Sequence, residues 1–310
     1  MLHHLDRLPP RVSTLYERFL WRVVRASFDL CQTLGFHITL NHHFQPVPDT
    51  TRLKEELWAG GSELPGVDLN EKEQLRLLSL FSSTLRSEYS RFPRRRTNVP
   101  YEFHFNNTWF ESVDAEVLYC MIRHFKPTRI MEIGSGYSTY VSAAAIRTNR
   151  EGGADCELIA IEPYPNATLK AGVPGLAKLI AAEVQEVPLV EFEKLKENDI
   201  LFIDSSHVVK IGGDVTYEYL EILPRLNRGV LVHVHDIFLP AEYPRDWVLR
   251  EHLFWNEQYL LRAFLTFNKR IEVLWGSYYM HLVHPDELEA AFDSYDRNSL
   301  PASFWIRVVG

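Results

Sequence analysis

Carboxylate and imidazole side chains end two apolar runs in the second half of the sequence. Asp204 ends one run and is followed by His207, while His235 and Asp236 end the other. Carboxylate oxygens together with imidazole nitrogens suit a divalent ion such as Mg²⁺, Mn²⁺, Fe²⁺ or Zn²⁺. Alternatively, His207 or His235 acts as a metal-free general base whose pKa the neighbouring carboxylates hold near neutrality. Asp204, His207 and His235 are therefore candidate catalytic residues, and all four side chains are candidate metal ligands.

A glycine turn lies between an apolar run and a run of small helix-forming residues. Glu132, Gly134 and Gly136 are separated by single residues, and Thr139 stands where a dinucleotide-binding fingerprint has its third glycine. Two glycines let the backbone approach a ligand closely, and the helix behind them presents unpaired N–H groups. A carboxylate before the turn suits a cationic ligand better than a pyrophosphate. The turn therefore predicts a ligand site that differs from a nicotinamide dinucleotide site.

Apolar runs alternate with helical patterns from residue 98 to the C-terminus. This alternation predicts a doubly wound, mostly parallel α/β sheet. Ligands of such sheets bind beyond the carboxyl ends of the strands, and several predicted strands end in an acid. The predicted strands are residues 130–133, 158–162, 179–185, 200–204, 229–236, 271–275 and 304–309, and predicted helices after the turn include residues 215–226 and 247–267.

The N-terminal third of the chain has a different organisation. Residues 11–34 show the apolar spacing of an amphipathic helix. Prolines and a run of arginines at residues 91–97 predict a boundary, since this stretch has no periodicity. We therefore expect a helical N-terminal extension at residues 1–97 and a catalytic domain at residues 98–310.

One loop of this extension is rich in imidazole and aromatic side chains. Residues 41–50 contain two prolines, which exclude a helix, and the adjacent side chains His42, His43 and Phe44. The loop is either a solvated connection or, together with Tyr101, a lid that lines the pocket of an acceptor substrate.

At the glycine turn the sequence resembles the class I S-adenosylmethionine-dependent methyltransferases, whose first motif is an acid followed by two alternating glycines. The resemblance covers residues 100–310 and implies a seven-stranded Rossmann-like sheet that binds S-adenosylmethionine. Glu162 matches the acid that accepts the ribose hydroxyls, and Gln185 stands where that family contacts adenine. The implied cofactor-binding residues are Glu132, Gly134, Ser135, Gly136, Ser138, Thr139, Glu162, Gln185 and Asp204.

The layout also resembles the metal-dependent small-molecule O-methyltransferases of the macrocin and novobiocin type and the cephalosporin hydroxylase-like proteins. This resemblance implies a divalent metal at Asp204, His235 and Asp236, and the residues themselves add His207 as a fourth ligand or a nearby base. His235 departs from the pattern, because those enzymes have a carboxylate there, so a transition metal becomes more plausible than Mg²⁺. The implied activity is methyl transfer to a small-molecule hydroxyl in natural product biosynthesis.

Two other functions are compatible with the same sheet. A nicotinamide-dependent oxidoreductase is disfavoured by Glu132 and by the missing third glycine. A hydroxylase-like or non-catalytic relative would keep the cofactor fold without the transfer. The identity of the acceptor, and whether oxygen, nitrogen or carbon is methylated, stay open at this level.

The composition and charge of the chain limit the remaining classes of function and location. The 310 residues carry a net charge of −8, which argues against a nucleic-acid-binding surface. Three cysteines without paired spacing suit a reducing compartment. We find no apolar signal core and no run long enough for stable membrane insertion. We therefore expect a cytoplasmic enzyme with a small-molecule acceptor, and a homo-oligomer is compatible with these features.

Overall fold

The computed structural model describes residues 10–310, so the first part of the expected N-terminal extension, residues 1–9, lies outside the described residues. By its internal contacts the chain divides into two units, with the division between Leu57 and Trp58. The first unit contains helix α1 (Pro10–Thr33), as the amphipathic pattern predicts. Within this unit the rings of His42, His43 and Phe44 pack against one another, with centroids 4.1–5.1 Å apart.

A seven-stranded sheet forms the centre of the second unit. Its strands lie in the order β3-β2-β1-β4-β5-β7-β6, in which β1 to β5 are parallel and β7 runs antiparallel to both of its neighbours. This topology confirms the predicted doubly wound, mostly parallel fold. The strands are β1 (Arg129–Ile133), β2 (Glu157–Ile161), β3 (Leu176–Ile180), β4 (Ile200–Ile203), β5 (Leu231–Val234), β6 (Ile271–Gly276) and β7 (Phe304–Val308).

Helices cover both faces of this sheet. Alternate residues of β4 belong to separate hydrophobic clusters, since Ile200 and Phe202 face one cluster and Leu201 and Ile203 the other. Strands of a parallel sheet that is buried on both faces have continuously apolar sequences, which is why this strand could be predicted from the sequence. The helices are α2 (Glu71–Thr84), α3 (Arg86–Tyr89), α4 (Asp114–Phe125), α5 (Tyr137–Glu151), α6 (Ala167–Ala171), α7 (Leu189–Phe192), α8 (Asp214–Tyr217), α9 (Arg245–Leu249), α10 (Glu257–Leu265), α11 (Ser277–Val283) and α12 (Pro285–Ala291).

Residues 58–97 pack within the second unit. The side chain of Asn70 donates to the carbonyl of Val273 in β6 at 3.1 Å, and Gln74 of α2 accepts from the amide of Gly276 at 2.9 Å. The division by compactness therefore falls earlier in the chain than residue 97. The expected role of residues 1–97 at an acceptor site stays a prediction.

Two helices differ from the sequence prediction. The helix expected at residues 247–267 is interrupted, because the chain between α9 and α10 leaves the helical conformation. The helix expected at residues 215–226 changes from α8 into a π-helical segment, Glu218–Ile222. Segments with π-helical hydrogen bonding occur often at functional sites, and both irregular stretches lie beside the carboxyl ends of β4 and β5. Among the described residues, none of the helices combines the length and apolar character needed to cross a membrane.

Candidate active site

Four side chains converge beyond the ends of β4 and β5. The Nε2 atom of His207 lies 3.3 Å from Oδ1 of Asp204 and 3.4 Å from Oδ2 of Asp236. The Nδ1 atom of His235 lies 3.5 Å and 3.7 Å from the same two oxygens. One ligand atom from each of Asp204, His207 and Asp236 lies within 4.8 Å of the others, as a shared metal ion requires. The structure therefore places the four side chains predicted as metal ligands near one another, with three of them, Asp204, His207 and Asp236, in the closest group; their binding of a metal stays a prediction.

These separations fit coordination better than direct hydrogen bonding. An N–H···O hydrogen bond is shortest and strongest near 2.9 Å. Two ligands that each lie about 2.1 Å from a tetrahedral metal ion are about 3.4 Å apart. The distances of 3.3–3.7 Å in this cluster match the second value. The ligand atoms of Asp204, His207 and Asp236 therefore fit a shared divalent ion, and Nδ1 of His235 lies beside the same two oxygens.

Parallel strand pairing and two unusual backbone conformations create this convergence. Because β4 and β5 pair with Ile203 opposite Val234, their carboxyl ends lie side by side. His207 and Asp236 then adopt left-handed conformations, with φ values of 59° and 55°. Such conformations are uncommon for residues other than glycine, and they concentrate at functional sites. The turn of the backbone at these two positions directs the ligands towards Asp204.

Two further carboxylates stand behind the histidines, and the sequence analysis missed both. Oε2 of Glu257 lies 2.9 Å from Nδ1 of His207, and Glu257 is fully buried. Oδ2 of Asp114 lies 3.6 Å from Nε2 of His235, which is a charge contact rather than a hydrogen bond. Asp114 is fixed by the amides of Ala302 and Ser303, which donate to it at 2.8 and 2.9 Å. Histidines that bind metals commonly have such a carboxylate on the second ring nitrogen.

The pKa of each carboxyl in the cluster depends on the charges of its neighbours. Burial alone would raise the pKa of Asp204, but the charge of His235 and the close ring nitrogens of both histidines hold it below its usual range. Burial raises the pKa of Asp236 in spite of the nearby histidines. Without a metal, the two carboxylates that face each other need protonated imidazoles to balance them. A divalent ion would take the place of those protons.

A pH dependence follows for the metal-free protein. Burial would lower the pKa of His207 and His235, but the surrounding carboxylates raise both well above 6.5. Histidines with a raised folded-state pKa stabilise the fold fully below the unfolded value, and this contribution is lost as pH rises through the folded value. The free energy of unfolding, measured by urea denaturation of chelator-treated protein, should therefore decrease from neutral to alkaline pH. The metal-loaded protein should not show the decrease, since the ion replaces the protons; a flat profile without metal would contradict this account.

A cavity of 410 Å³ adjoins the cluster at the carboxyl ends of β1, β2 and β4. Its lining includes Gly134, Glu162, Gln185 and Asp204, which the sequence analysis assigned to one cofactor. The volume is in the range of small-molecule and cofactor sites. Asp204 contributes to both the cavity and the cluster of possible metal ligands, so a ligand in the cavity would lie beside the ion.

Glu162 joins the turns that follow β1 and β2. Its Oε2 accepts from the amide of Ser135 at 3.1 Å, and its Oε1 accepts from the amide of Tyr164 at 2.8 Å. Each carboxylate oxygen has a second acceptor position, so the group can still accept two hydroxyls. Gln185 lies in a 3₁₀ turn, and its amide donates to the carbonyl of Gly212 at 3.1 Å.

Glu132 is fully buried under the glycine turn. Its Oε1 accepts from the hydroxyls of Ser138 at 2.6 Å and Thr139 at 3.0 Å, whereas Oε2 has no hydrogen-bond partner within the described chain. Burial raises the pKa of Glu132 to about 8. The buried hydroxyl of Ser135 likewise has no partner among the described residues. These orphaned polar atoms fit a ligand that carries an ammonium group or other donors.

The two glycines of the turn have different physical roles. A side chain on Gly134 would place its Cβ 1.8 Å from the carbonyl oxygen of Asp204, and the φ value of 78° also favours glycine. A Cβ on Gly136 would meet no heavy atom within 4 Å. Gly134 therefore permits the close approach of β1 to the end of β4, while Gly136 leaves space open beside the turn.

The residues expected to contact an acceptor divide between the two units. Tyr101 packs at the edge of the hydrophobic core, and the neighbouring Phe103 and Phe105 are buried within it. That segment is therefore anchored in the second unit. His42, His43 and Phe44 belong to the first unit. Contact of these four predicted residues with an acceptor stays a prediction.

Comparison of the sequence with known proteins identifies related proteins. The profile of a family described as a methyltransferase domain matches residues 131–237. An uncharacterized protein of Archaeoglobus fulgidus is 35% identical over 168 residues, which are 51% of this chain and 74% of that relative. The chain belongs to the methyltransferase-domain family. The matched part of this methyltransferase domain holds the glycine turn and the four predicted metal ligands, but neither Asp114 nor Glu257.

Solved structures similar to this methyltransferase domain include several methyltransferases. CmcI with Mg and SAM is 16% identical, with coverage of 65% of this chain and 73% of that one and a TM-score of 0.34. The O-methyltransferase from Bacillus cereus in complex with SAH is 11% identical, covers 93% and 100%, and has a TM-score of 0.37. CalS11, a TDP-rhamnose 3′-O-methyltransferase of calicheamicin biosynthesis, is 12% identical, covers 82% and 99%, and has a TM-score of 0.40.

Proposed function

We propose that this protein transfers the methyl group of S-adenosylmethionine to a hydroxyl oxygen of a small molecule, with a divalent ion bound by Asp204, His207, His235 and Asp236. One observation carries the proposal. Asp204 lines the cofactor cavity and also lies 3.3 Å and 3.5 Å from the nitrogens of the two histidines. This shared residue would hold a methyl donor and an ion-bound acceptor next to each other.

Other residues suit the parts of this cofactor: Glu162 and Gln185 line the cavity, and Glu132 and Gly136 belong to the glycine turn beside it. The carboxylate of Glu162 would accept the ribose hydroxyls, and the side chain of Gln185 would contact the adenine. The unpartnered Oε2 of Glu132 would accept from the ammonium group of the methionine end, which keeps the buried carboxyl ionised. Gly136 would leave the path of the cofactor open.

The ion would lower the pKa of a bound hydroxyl and fix its position. Because the sulfonium methyl is already activated, the protein needs mainly to align donor and acceptor and to remove one proton. Asp204 and Asp236 would supply the negative charge that retains the ion. A metal-free base is less well supported, since the carboxylates around His207 raise its pKa well above 6.5 and so favour the protonated imidazole, which cannot accept a proton.

Calorimetric titration of the purified protein tests the cofactor. S-adenosylmethionine should bind, whereas NAD⁺ and NADH should give no saturable heat, because Thr139 occupies the third glycine position and bonds to Glu132. Binding of NADH without binding of S-adenosylmethionine would favour an oxidoreductase. Turnover assays with small-molecule hydroxyl libraries, analysed by mass spectrometry for a gain of one methyl group, would then identify the acceptor class.

A further inference from the structure

The second nitrogen of His207 is held by an element distant in sequence. Nδ1 lies 2.9 Å from Oε2 of Glu257, in the first turn of α10. The carbonyl oxygen of His207 accepts from the amides of Asn256 and Glu257, and the side chain of Asn256 accepts from the amide of Val209 at 2.6 Å. The loop after β4 and the start of α10 are therefore joined by several hydrogen bonds around one imidazole.

This contact determines which nitrogen is free. A carboxylate only accepts hydrogen bonds, so Nδ1 of His207 must carry a hydrogen and donate it to Glu257. In the neutral ring the lone pair then lies on Nε2, which faces Oδ1 of Asp204 at 3.3 Å and Oδ2 of Asp236 at 3.4 Å. Facing two carboxylate oxygens, Nε2 is therefore either protonated, as in the metal-free protein, or bound to a cation that lies among them.

We infer that Glu257 is a positioning residue that holds His207 with Nε2 turned towards a metal ion, and that the site therefore takes a transition metal such as Mn²⁺, Fe²⁺, Co²⁺ or Zn²⁺ in preference to Mg²⁺. This inference rests on the metal site of the proposed function. Imidazole nitrogen suits these transition metals, whereas Mg²⁺ demands oxygen ligands in near-ideal octahedral geometry. Trp255 supports the same orientation, because its ring lies 4.5 Å from the ring of His207.

Metal titrations of the full-length, chelator-treated protein test this inference. Calorimetry should show that Mn²⁺, Co²⁺ and Zn²⁺ each bind at least about tenfold more tightly than Mg²⁺. The variant Glu257→Gln keeps the shape but loses the charge, and we expect metal affinity to fall by about ten- to a hundredfold. The matched control is Asp199→Asn, which removes the charge of another buried acid; Asp199 lies at the amino end of β4, where its Oδ1 accepts from the amide of Arg129 at 2.8 Å. The control should change metal affinity by less than about twofold.

A second measurement needs no variant and stays informative if Glu257→Gln fails to fold. In protein labelled with ¹⁵N-histidine and loaded with Zn²⁺, the NMR spectrum of His207 should show a hydrogen on Nδ1 and a metal-bound Nε2. A hydrogen on Nε2, equal affinity for Mg²⁺ and Mn²⁺, or equal losses in Glu257→Gln and Asp199→Asn would each overturn the inference. Titration of S-adenosylmethionine on the same samples separates the two proposals. If S-adenosylmethionine does not bind, the proposed methyl transfer is excluded. The order of the metal affinities would still test the role of Glu257.

Discussion

Replacing Asp204 with asparagine should remove both the divalent ion and turnover. Oδ1 of Asp204 is the oxygen that both histidine nitrogens approach, at 3.3 Å and 3.5 Å, and the lowered pKa of this carboxyl keeps it ionised. The amide of asparagine has nearly the same shape but no charge, so the remaining ligands retain the ion poorly. If the ion lowers the barrier by about 3 kcal/mol, turnover falls by roughly a hundredfold or more. Elemental analysis and initial rates measure the two effects separately.

The control for this variant is Asp155→Asn. Asp155 is exposed before β2, at the amino end of the strands, where it pairs with Arg150 at 2.9 Å. This change should leave metal content and rate unaltered. Excess chelator should stop turnover of the unmodified protein, and a divalent ion should restore it. Full activity in chelator, with no metal detected, would leave His207 or His235 as a metal-free base.

Replacing Gly136 with valine should weaken binding of S-adenosylmethionine without unfolding the protein. A Cβ at Gly136 meets no protein atom within 4 Å, and the φ value of −173° is extended backbone that any residue adopts. The added side chain therefore occupies space that we assign to the cofactor. If the cofactor fills this space, its steric conflict with the valine side chain should cost about 1–3 kcal/mol, or roughly ten- to a hundredfold in affinity. Calorimetry measures the affinity, and thermal unfolding checks the fold.

Gly134→Ala provides the contrasting variant. Its Cβ would lie 1.8 Å from the carbonyl oxygen of Asp204, so this change should lower the thermal unfolding temperature as well as the affinity. Comparing the two variants therefore distinguishes weaker cofactor binding caused by a blocked site from weaker binding caused by a destabilised fold. Unchanged cofactor affinity in folded Gly136→Val protein would refute the assignment of the turn.

Local patterns in the sequence were sufficient to predict the central strand, turn and helix of the fold. Buried parallel strands form continuous apolar runs, and the strand, turn and helix at residues 129–151 follow from apolar residues, two glycines and small residues in order. The acids Asp204 and Asp236 could be placed together because parallel neighbouring strands end at the same edge of a sheet. The interruption between α9 and α10 could not be predicted from apolar spacing, since that spacing is helical throughout residues 247–267.

The tertiary structure decided which groups surround the possible metal ligands. Glu257 reaches His207 only because the chain leaves the helix after α9, so that Asn256 and Glu257 donate their amides to the carbonyl of His207. Asp114 reaches His235 because α4 begins beside the chain that enters β7, where two amides fix its carboxylate. Neither approach leaves a pattern in the sequence, because each depends on contacts between distant segments.

The sequence by itself thus determined the mostly parallel sheet, the glycine turn and the acids at the ends of β4 and β5, since these depend on short-range periodicity and on the regular geometry of a parallel sheet. It misplaced the third strand, which was expected at residues 179–185 and lies at Leu176–Ile180. The structure alone decided the left-handed conformations of His207 and Asp236 and the carboxylate that orients His207. Those features arise where local backbone preference is outweighed by hydrogen bonds and packing among residues far apart in the chain.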